Sequence, residues 1–224
     1  MTLLNIVNRP RRNRKNINLR KLVRENYFLP EKFVSPIFVH DGNEKKIKIE
    51  TMPDCFRLSQ SEVLVEVGHL ESLGINNIIL FPSLSESLKS EDARESFNSN
   101  GLIPQLIKQL KDLYPKMNVF TDIALDPYST QGHDGIVDPR SGEILNDQTI
   151  DILCKMALTQ AAAGADVLGP SDMMDGRVGQ IRNALDENGF TQVSIMSYCA
   201  KYASAFYGPF RDALDSAPKS GDKK

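Results

Sequence analysis

Several features that would place the chain in a particular class of protein are absent from it. No run approaches the ~20 consecutive apolar residues of a membrane-spanning helix. Residues 1–26 carry arginines where a secretory signal peptide has its apolar segment. The 224 residues are 41% hydrophobic and 25% charged, as in ordinary globular domains. We therefore expect a globular protein that has no membrane partner and is located in the cytoplasm.

Cysteine is scarce and poorly placed for cross-linking. The chain has only Cys55, Cys154 and Cys199, an odd number, far apart and without a CxxC pair. This pattern disfavours a disulfide framework, and it makes a structural zinc site built on these thiols improbable. We expect three buried, free thiols.

Acidic residues are missing from residues 1–24, which hold eight Lys and Arg. Residues 25–224 hold 19 Lys and Arg against 29 Asp and Glu, a net charge of −10. A basic arm of this kind could bind nucleic acid, stay solvated, or dock on the acidic body of another copy. Because no aromatic residue precedes Tyr27 to stack on bases, nucleic acid is not the expected partner. We predict that residues 1–24 form an arm for oligomer contacts and residues 25–224 the body.

Short apolar segments alternate with amphipathic ones along the body. The predicted strands are VSPIFV (34–39), NIILF (77–81), NVFTDIAL (118–125), ADVLGP (165–170) and SIMSY (194–198). The predicted helices cover 59–74, 102–115, 147–164 and 176–189. Ser59 with Glu62 resembles a capping box, Asp147 is a predicted N-cap, and Gly164 stands where a C-terminal glycine belongs. Such alternation indicates a parallel sheet covered by helices.

Two parallel architectures fit this alternation, the open doubly wound sheet and the closed (β/α)₈ barrel. The phosphate-binding motifs GxGxxG and GxxxxGK[ST] do not occur after any predicted strand, which disfavours a nucleotide-binding open sheet. Polar clusters follow the later predicted strands, as the active face of a barrel requires. We predict an α/β fold of the TIM-barrel type with only about the first five β/α units in this chain, since eight units would need roughly 320 residues.

Lys201 follows the last predicted strand in an aromatic setting that includes Tyr198, Tyr202, Tyr207 and Phe210. Loss of hydration there would lower the pKa of the Lys201 ammonium and favour a nucleophilic amine, which suits a Schiff base with a ketone. The alternative is a surface lysine whose stem covers aromatic rings, and composition alone favours it.

Carboxylates are concentrated after the third predicted strand, in DIALDPYSTQGHDGIVDPRSG (122–142). They could act as acid and base or coordinate a hard cation, but a solvated, turn-rich loop explains the same residues equally well. The candidates are Asp122, Asp126, Asp134 and Asp138, with His133 as a hydrogen-bonding partner.

A second polar loop, PSDMMDGR (170–177), follows the fourth predicted strand and opens a predicted helix. It contains Ser171, Asp172 and Asp175. A helix N-cap explains one of these three residues but not all of them.

Taken together, these segments resemble one family, porphobilinogen synthase, also called δ-aminolevulinic acid dehydratase. The matching blocks are RPRR, LRKLVREN, PIFV, TMPDCFRLS, TDIALDPYSTQGHDG, LNDQT, AGADVLGPSDMMDGRVGQIR and MSYCAKYASAFYGPFRDALDSAPKSGDKK. The resemblance implies a (β/α)₈ barrel and a homo-oligomer, commonly an octamer, in which N-terminal arms embrace neighbouring subunits. It also implies condensation of two 5-aminolevulinate molecules to porphobilinogen, with loss of two waters, in heme biosynthesis.

The resemblance assigns roles to individual residues. Lys201 matches one of two lysines that form Schiff bases with the substrate, and Asp122 matches an acid near it. The other catalytic candidates are Asp126, Ser171, Asp172 and Tyr207, and the candidates for binding a substrate carboxylate are Arg211 and Lys223.

The chain departs from the family pattern at its metal site. Zinc-dependent members present three cysteines at positions that here are Ala124, Asp126 and Asp134, so a zinc site of that type is not expected. Members without it often respond to Mg²⁺ at a separate subunit-interface site, whose acidic ligand would lie beyond residue 224. We predict no metal ligand within the chain.

The second departure is that the family's second Schiff-base lysine, which follows the sixth strand, has no counterpart in the 224 residues. We therefore expect a C-terminally truncated synthase that is inactive on its own. The alternative is a truncated, non-catalytic subunit that co-assembles with a complete synthase.

Overall fold

The structure, a computed structural model, describes residues 6–202 and 204–216. Within that part the strands are β1 (Ser35–His40), β2 (Lys46–Lys48), β3 (Phe56–Leu58), β4 (Asn77–Ser83), β5 (Asn118–Ile123), β6 (Val167–Pro170) and β7 (Ser194–Ile195). The helices are α1 (Ile17–Leu22), α2 (Gln60–Ser72), α3 (Leu102–Leu113), α4 (Asn146–Ala163), α5 (Arg177–Glu187) and α6 (Gly208–Leu214). None of these helices has the length and apolar character needed to cross a membrane.

The strands form a single sheet in the order β2-β3-β1-β4-β5-β6-β7. Strands β1, β4, β5, β6 and β7 pair in parallel with their neighbours, and they correspond to the five predicted strands. Helices α2 to α5 connect β3, β4, β5, β6 and β7 in sequence order. The repeated parallel β/α unit predicted from the sequence is thus present.

Local sequence signals account for where the helices begin and end. The Ser59 hydroxyl accepts a hydrogen bond from the Glu62 backbone N–H at 3.4 Å, which caps α2. Gly164 ends α4 with a φ of 110°, a conformation that a side chain would disfavour. The prediction of Asp147 as an N-cap is wrong: α4 already begins at Asn146, so Asp147 lies in the first turn.

The side chains of the sheet alternate between two buried faces. Ile78 and Leu80 of β4 pack with helices α2 to α5 in the outer cluster, whereas Ile79 and Phe81 point to the inner face. By the same alternation, Asp122 of β5 lies on the inner face. The inner cluster also contains Phe38, Ile49, Ala213 and Leu214. Two of these residues belong to α6, so this helix covers the inner face of the sheet.

Strands β2 and β3 are not predicted from the sequence, and β5, β6 and β7 are shorter than predicted. β2 and β3 form an antiparallel pair, and β3 also lies parallel to the end of β1. β7 ends at Ile195, but pairing with β6 continues past it. The Met196 N–H donates to the Leu168 carbonyl at 2.8 Å, and the Tyr198 N–H donates to the Pro170 carbonyl at 3.2 Å. The predicted strand 194–198 therefore stays beside β6 over its whole length.

The three cysteines form no disulfide bond within the described residues. Cys55 and Cys154 are half-buried and Cys199 is exposed, so the prediction that all three are buried is wrong. Cys199 lies in the loop after β7, and Cys55 lies in the turn that precedes β3. Cys55 packs against the inner cluster although it is not fully buried.

Candidate active site

A cavity of about 360 Å³ lies on the inner face of the sheet, at the carboxyl ends of the parallel strands. Neighbouring parallel strands end at the same edge, so residues distant in the chain meet there. The lining residues are Phe81, Asp122, Asp126, Ser171, Tyr198, Ala200, Lys201, Tyr207, Phe210 and Leu214. Five of the eight predicted site residues are among them: Asp122, Asp126, Ser171, Lys201 and Tyr207.

Three polar residues of the cavity come from the ends of three different strands. Asp122 is the penultimate residue of β5, and Ser171 follows β6 directly. The Ser171 backbone N–H donates to the Ile123 carbonyl at 3.3 Å, which fixes the two strand ends side by side. Lys201 follows β7. The lysine, the hydroxyl and the carboxyl group therefore face one space.

Lys201 is ion-paired inside the cavity. Its Nζ lies 3.2 Å from Oδ2 of Asp134, whose side chain is buried. Burial alone would lower the pKa of the Lys201 ammonium, but the carboxylate of Asp134, supported by Tyr207, Asp122 and Asp126, outweighs burial and raises that pKa. The expectation of a lowered lysine pKa is thus wrong for this state, because a negative charge lies beside the ammonium.

The Asp122 carboxyl group is fully buried, and its Oδ1 has no hydrogen-bond partner among the described residues. Burial and the neighbouring charge of Asp126 raise the pKa of Asp122 to about 7, despite a hydrogen bond with Ser171 that lowers it. Both protonation states of Asp122 are therefore populated near neutral pH. A group of this kind can donate a proton in one step and accept it in another.

Asp172 is directed toward the start of α5. Its Oδ1 accepts a hydrogen bond from the Met174 N–H at 2.8 Å, and its Oδ2 lies 3.2 Å from Nε of Arg177. Burial raises the pKa of Asp172 to about 6, against the lowering effects of both contacts. Arg177 also donates to the Tyr198 carbonyl at 3.4 Å. Asp172 and Arg177 therefore link the loop after β6 to the segment that carries Lys201.

Tyr207 and Arg211 lie next to one another at the start of α6. The Arg211 guanidinium lies over the Tyr207 ring, 5.1 Å from its centroid. Nε of Arg211 is buried and has no hydrogen-bond partner among the described residues. A buried cationic donor in this state has capacity to bind an anion. Lys223, the other predicted carboxylate-binding residue, lies outside the described residues.

Two residues have a larger part in the site than the sequence indicates. Asp134 is one of several loop carboxylates that could act as acid, base or cation ligand, and no sequence pattern connects it with Lys201, which it contacts across 67 positions of the chain. Tyr198 lines the cavity, and burial raises its pKa to about 12, so its phenol is neutral at ordinary pH. Its position three residues before Lys201 at a strand end could have indicated this role.

No group of three or more His, Cys, Asp or Glu side chains converges to hold a metal ion in residues 6–202 and 204–216. The three positions at which zinc-dependent relatives have cysteine hold one alanine and two aspartates. Ala124 is buried and offers no ligand, and Asp134 is engaged by the Lys201 ammonium. This donor set does not fit a zinc ion, which prefers thiolate and imidazole ligands in such sites.

Known proteins resemble the chain over nearly its whole length. It is 55% identical to delta-aminolevulinic acid dehydratase 1 of Arabidopsis thaliana and 52% identical to the enzyme of that name from Chlamydomonas reinhardtii, in each case over 99% of the chain. It covers 51% and 57% of those proteins, so the chain spans about half the length of the curated relatives it matches.

A solved structure confirms the predicted fold. The delta-aminolevulinic acid dehydratase (porphobilinogen synthase) of Toxoplasma gondii ME49, in complex with its reaction product porphobilinogen, superimposes with a TM-score of 0.94 at 52% identity. The match covers 99% of this chain and 63% of that chain.

The predicted cytoplasmic location is wrong. The relatives from Arabidopsis thaliana and Chlamydomonas reinhardtii are both named as chloroplastic proteins, which points to a plastid. The prediction failed because it rested on the composition of residues 1–26, which does not identify a compartment.

The family assignment rests on the length of the match as well as on its identity. The family model for delta-aminolevulinic acid dehydratase matches residues 7–224. This range includes the acidic loop after β5, the loop after β6 and the segment around Lys201, which together form the cavity. The chain therefore belongs to the delta-aminolevulinic acid dehydratase family.

Proposed function

We propose that the protein is a porphobilinogen synthase, which condenses two molecules of 5-aminolevulinate to porphobilinogen with loss of two waters in heme biosynthesis. The observation that carries the proposal is the position of Lys201, an amine in a 360 Å³ cavity beside Asp134 and close to Asp122. A primary amine next to groups that exchange protons is what imine chemistry on a ketone requires. Family membership and the product-bound relative support the same assignment.

Formation of the Schiff base begins with deprotonation of Lys201. Nζ transfers a proton to Oδ2 of Asp134, the carboxylate oxygen 3.2 Å away, and its lone pair then attacks the ketone carbon of 5-aminolevulinate. One of the two protons on the attacking nitrogen moves to the former ketone oxygen, which gives a neutral carbinolamine. Asp122, whose pKa is about 7, supplies the second proton, so that the hydroxyl leaves as water. The nitrogen returns its last proton to the Asp122 carboxylate as the neutral imine forms, and Nζ ends doubly bonded to carbon.

The apolar side of the cavity favours this step. Phe81, Phe210 and Leu214 line the wall opposite the polar groups. An apolar wall keeps water away from the imine and strengthens the interactions between the charged groups. Imine hydrolysis is thereby slowed while the second substrate molecule binds.

The substrate carboxylate binds toward α6 in this proposal. Arg211 contributes a guanidinium whose buried Nε has no hydrogen-bond partner among the described residues, and Lys223 contributes a second cation from beyond them. Ser171 and Tyr207 line the same cavity and offer hydroxyl groups to the substrate. Asp172 acts indirectly, since it holds Arg177 and the loop after β6 in place.

We infer that the chain does not complete the reaction on its own. The family's second Schiff-base lysine has no counterpart in residues 1–224, and the chain spans about half the length of its curated relatives. A cavity that supplies one amine can bind one substrate molecule covalently but cannot activate both in the same way. The expected behaviour of the isolated chain is a covalent adduct without turnover.

The side chains at the three positions of the zinc site determine which metal we expect the protein to use. We propose that the protein has no zinc site of the three-cysteine type, because Ala124, Asp126 and Asp134 occupy those positions. Any activation by Mg²⁺ would use ligands beyond residue 224, at an allosteric site rather than in the cavity. No step of the chemistry above passes through a metal ion.

Self-association through the arm is part of the proposal. None of residues 6–36 is buried in the described chain, and the segment exposes apolar side chains beside its basic ones. The exposed apolar residues are Ile6, Val7, Ile17, Leu22, Val23, Tyr27, Phe28 and Phe33. Such a segment gains stability by lying on another subunit, and the acidic body of a second copy is complementary to it in charge. The expected assembly of the complete protein is a homo-octamer.

The proposed function can be tested by supplying the missing half. Residues 1–224 are fused to the C-terminal half of the Arabidopsis thaliana relative, which is 55% identical over the shared part. We expect the fusion protein to form porphobilinogen from 5-aminolevulinate, and Lys201→Met to abolish this activity. Lys108→Met, on the outer surface of α3, is the matched control and should leave it unchanged. A folded fusion protein without activity, or full activity of Lys201→Met, would refute the assignment.

A further inference from the structure

Helix α6 lies across the inner face of the sheet as a separate packing unit. Phe210 contacts Phe81 edge-on, with ring centroids 5.1 Å apart, and Phe38 with centroids 5.9 Å apart. Ala213 and Leu214 are fully buried. The helix has only seven residues, too short to be stable without such contacts.

The carboxyl end of α6 is held by two cations from distant parts of the chain. Arg57 of β3 donates from Nε to the Ala213 carbonyl at 2.7 Å and from a terminal nitrogen to the Asp212 carbonyl. Lys89, which follows β4, donates to the Asp215 carbonyl at 3.1 Å and to the Glu86 carboxylate at 2.7 Å. The Asp212 carbonyl also accepts a hydrogen bond from the Asp215 N–H at 3.3 Å, and the carbonyls at this end of the helix carry the negative end of its dipole.

The burial of Lys89 indicates a specific structural contact rather than a weak surface interaction. Its side chain is only 4% exposed, although lysine is rarely buried without a partner. Just beyond the helix, the Ser216 hydroxyl donates to Oδ2 of Asp126 at 2.8 Å. The end of α6 is thus connected to β3, to the segment after β4 and to the loop after β5.

We propose that Arg57 and Lys89 form a clamp that positions α6, and through it Tyr207 and Arg211, beside Lys201. The role of this clamp rests on the proposed function. It extends that function, because Arg57 and Lys89 would help to set the affinity for the substrate. Arg57 and Lys89 are positioning residues, since their donors point to the helix end while other side chains line the cavity.

The first test measures hydrogen exchange of the 224-residue chain without substrate. In Arg57→Met the amides of residues 210–216 should exchange about tenfold faster or more, because hydrogen bonds to a charged donor are lost. Lys89→Met should act on the same amides from the other side of the clamp. Arg94→Met is the control, because the Arg94 side chain is 71% exposed and, among the described residues, pairs with Asp92 nearby rather than with α6.

Three outcomes decide this test. Faster exchange confined to residues 210–216, with β4 and β5 still protected, supports the clamp. Exchange equal to that of the unmodified chain and of Arg94→Met overturns it. Loss of protection throughout the sheet in both Arg57→Met and Lys89→Met also overturns it, since the two side chains would then support the whole sheet rather than α6.

A second measurement distinguishes a role of Arg57 in positioning α6 from a general role in supporting the sheet. Lys201 is labelled by 5-aminolevulinate and borohydride over a range of substrate concentrations. In Arg57→Met the concentration that gives half-maximal labelling should rise about tenfold while the limiting extent is unchanged, because the Lys201–Asp134 pair is not altered. Arg57→Lys, which keeps one donor, should give an intermediate value. An unchanged half-maximal concentration in Arg57→Met would contradict the positioning role.

If the unmodified chain is never labelled, the proposed function fails, whereas the exchange test still decides whether the clamp exists.

Discussion

The contact between Lys201 and Asp134 favours the protonated form of the amine in the cavity. A carboxylate 3.2 Å from an ammonium group stabilises the protonated amine. The same oxygen is the acceptor closest to that proton in the ion pair. In the proposed mechanism, Asp134 restrains the amine until a substrate is present and then provides the route for its deprotonation.

Asp134→Asn should make Lys201 more reactive toward general amine reagents. Removal of the negative charge lowers the pKa of Lys201, and the neutral fraction of an amine well below its pKa grows tenfold for each unit by which that pKa falls. We expect acetic anhydride to modify Lys201 about tenfold faster at pH 8, as measured by mass spectrometry. Asp138→Asn is the control, because Asp138 bonds within its own turn. Equal rates for the two variants would contradict the assigned role of Asp134.

Asp122 makes the stability of the protein depend on pH. Its pKa is about 7 in the folded protein and near 3.8 in the unfolded chain, so the folded state binds the extra proton. Stability then falls as the pH rises from about 4 to about 7. Asp122→Asn removes this effect and should be more stable than the unmodified chain by on the order of 3 kcal/mol at pH 8, with little difference at pH 4. Urea unfolding at both pH values measures the difference, and a difference that does not change with pH would rule the explanation out.

Among the helices, two glycines at different helix positions should respond in opposite ways to the same substitution. Gly164 ends α4 with a φ of 110°, and an added Cβ would lie 3.1 Å from a Lys111 side-chain carbon. Gly179 lies within α5 with nothing within 4 Å of an added Cβ. Gly164→Ala should destabilise the protein by about 1–2 kcal/mol, and Gly179→Ala should stabilise it by about 0.5–1 kcal/mol. Denaturant midpoints give both values, and a gain in stability for Gly164→Ala would contradict the assigned helix end.

The elements also differ in how far they could be predicted. Strands β1, β4, β5 and β6 and helices α2 to α5 were predicted because they carry strong apolar periodicity and end in characteristic residues such as Ser59 and Gly164. β2 and β3 are three residues each and mix lysine or arginine with apolar residues, so they show no pattern of their own. Helix α6 is stabilised by contacts to Phe38, Phe81 and Arg57 that no local pattern reveals.

Prediction from the sequence is limited in the same way for the cavity. The strand ends at which Asp122, Ser171 and Lys201 lie could be identified because each belongs to an apolar strand, and parallel strands end at one edge. The raised pKa of Lys201 could not be predicted from the sequence. It depends on Asp134, which approaches from a loop 67 positions away. Long-range electrostatic contacts of this kind need the folded backbone.

At the scale of the whole molecule, the sheet of the described chain is open. β7 forms one edge and β2 the other, and the five parallel strands do not close on themselves. Unpaired edges and the exposed apolar side chains of residues 6–33 both favour association. The isolated chain is therefore expected to be an assembly rather than a monomer.

The basic arm should control this assembly. Deletion of residues 1–24 removes eight Lys and Arg and should reduce the size of the assembly, because the attraction to the acidic body is lost. Raising the salt concentration from about 0.05 M to about 0.5 M should act in the same direction on the full chain. Sedimentation velocity measures both effects. A monomeric full chain, or a deletion variant that assembles equally well, would refute the arm as the source of self-association.

Lys201 is the proposed nucleophile for a keto acid substrate. The most direct measurement is borohydride reduction of the 224-residue chain in the presence of 5-aminolevulinate, followed by peptide mass spectrometry. Hydride adds to the imine carbon, so the expected result is a stable secondary amine on Lys201, absent from Lys201→Met and unaffected in Lys108→Met. No adduct on folded protein, or an equal adduct in Lys201→Met, would contradict the account.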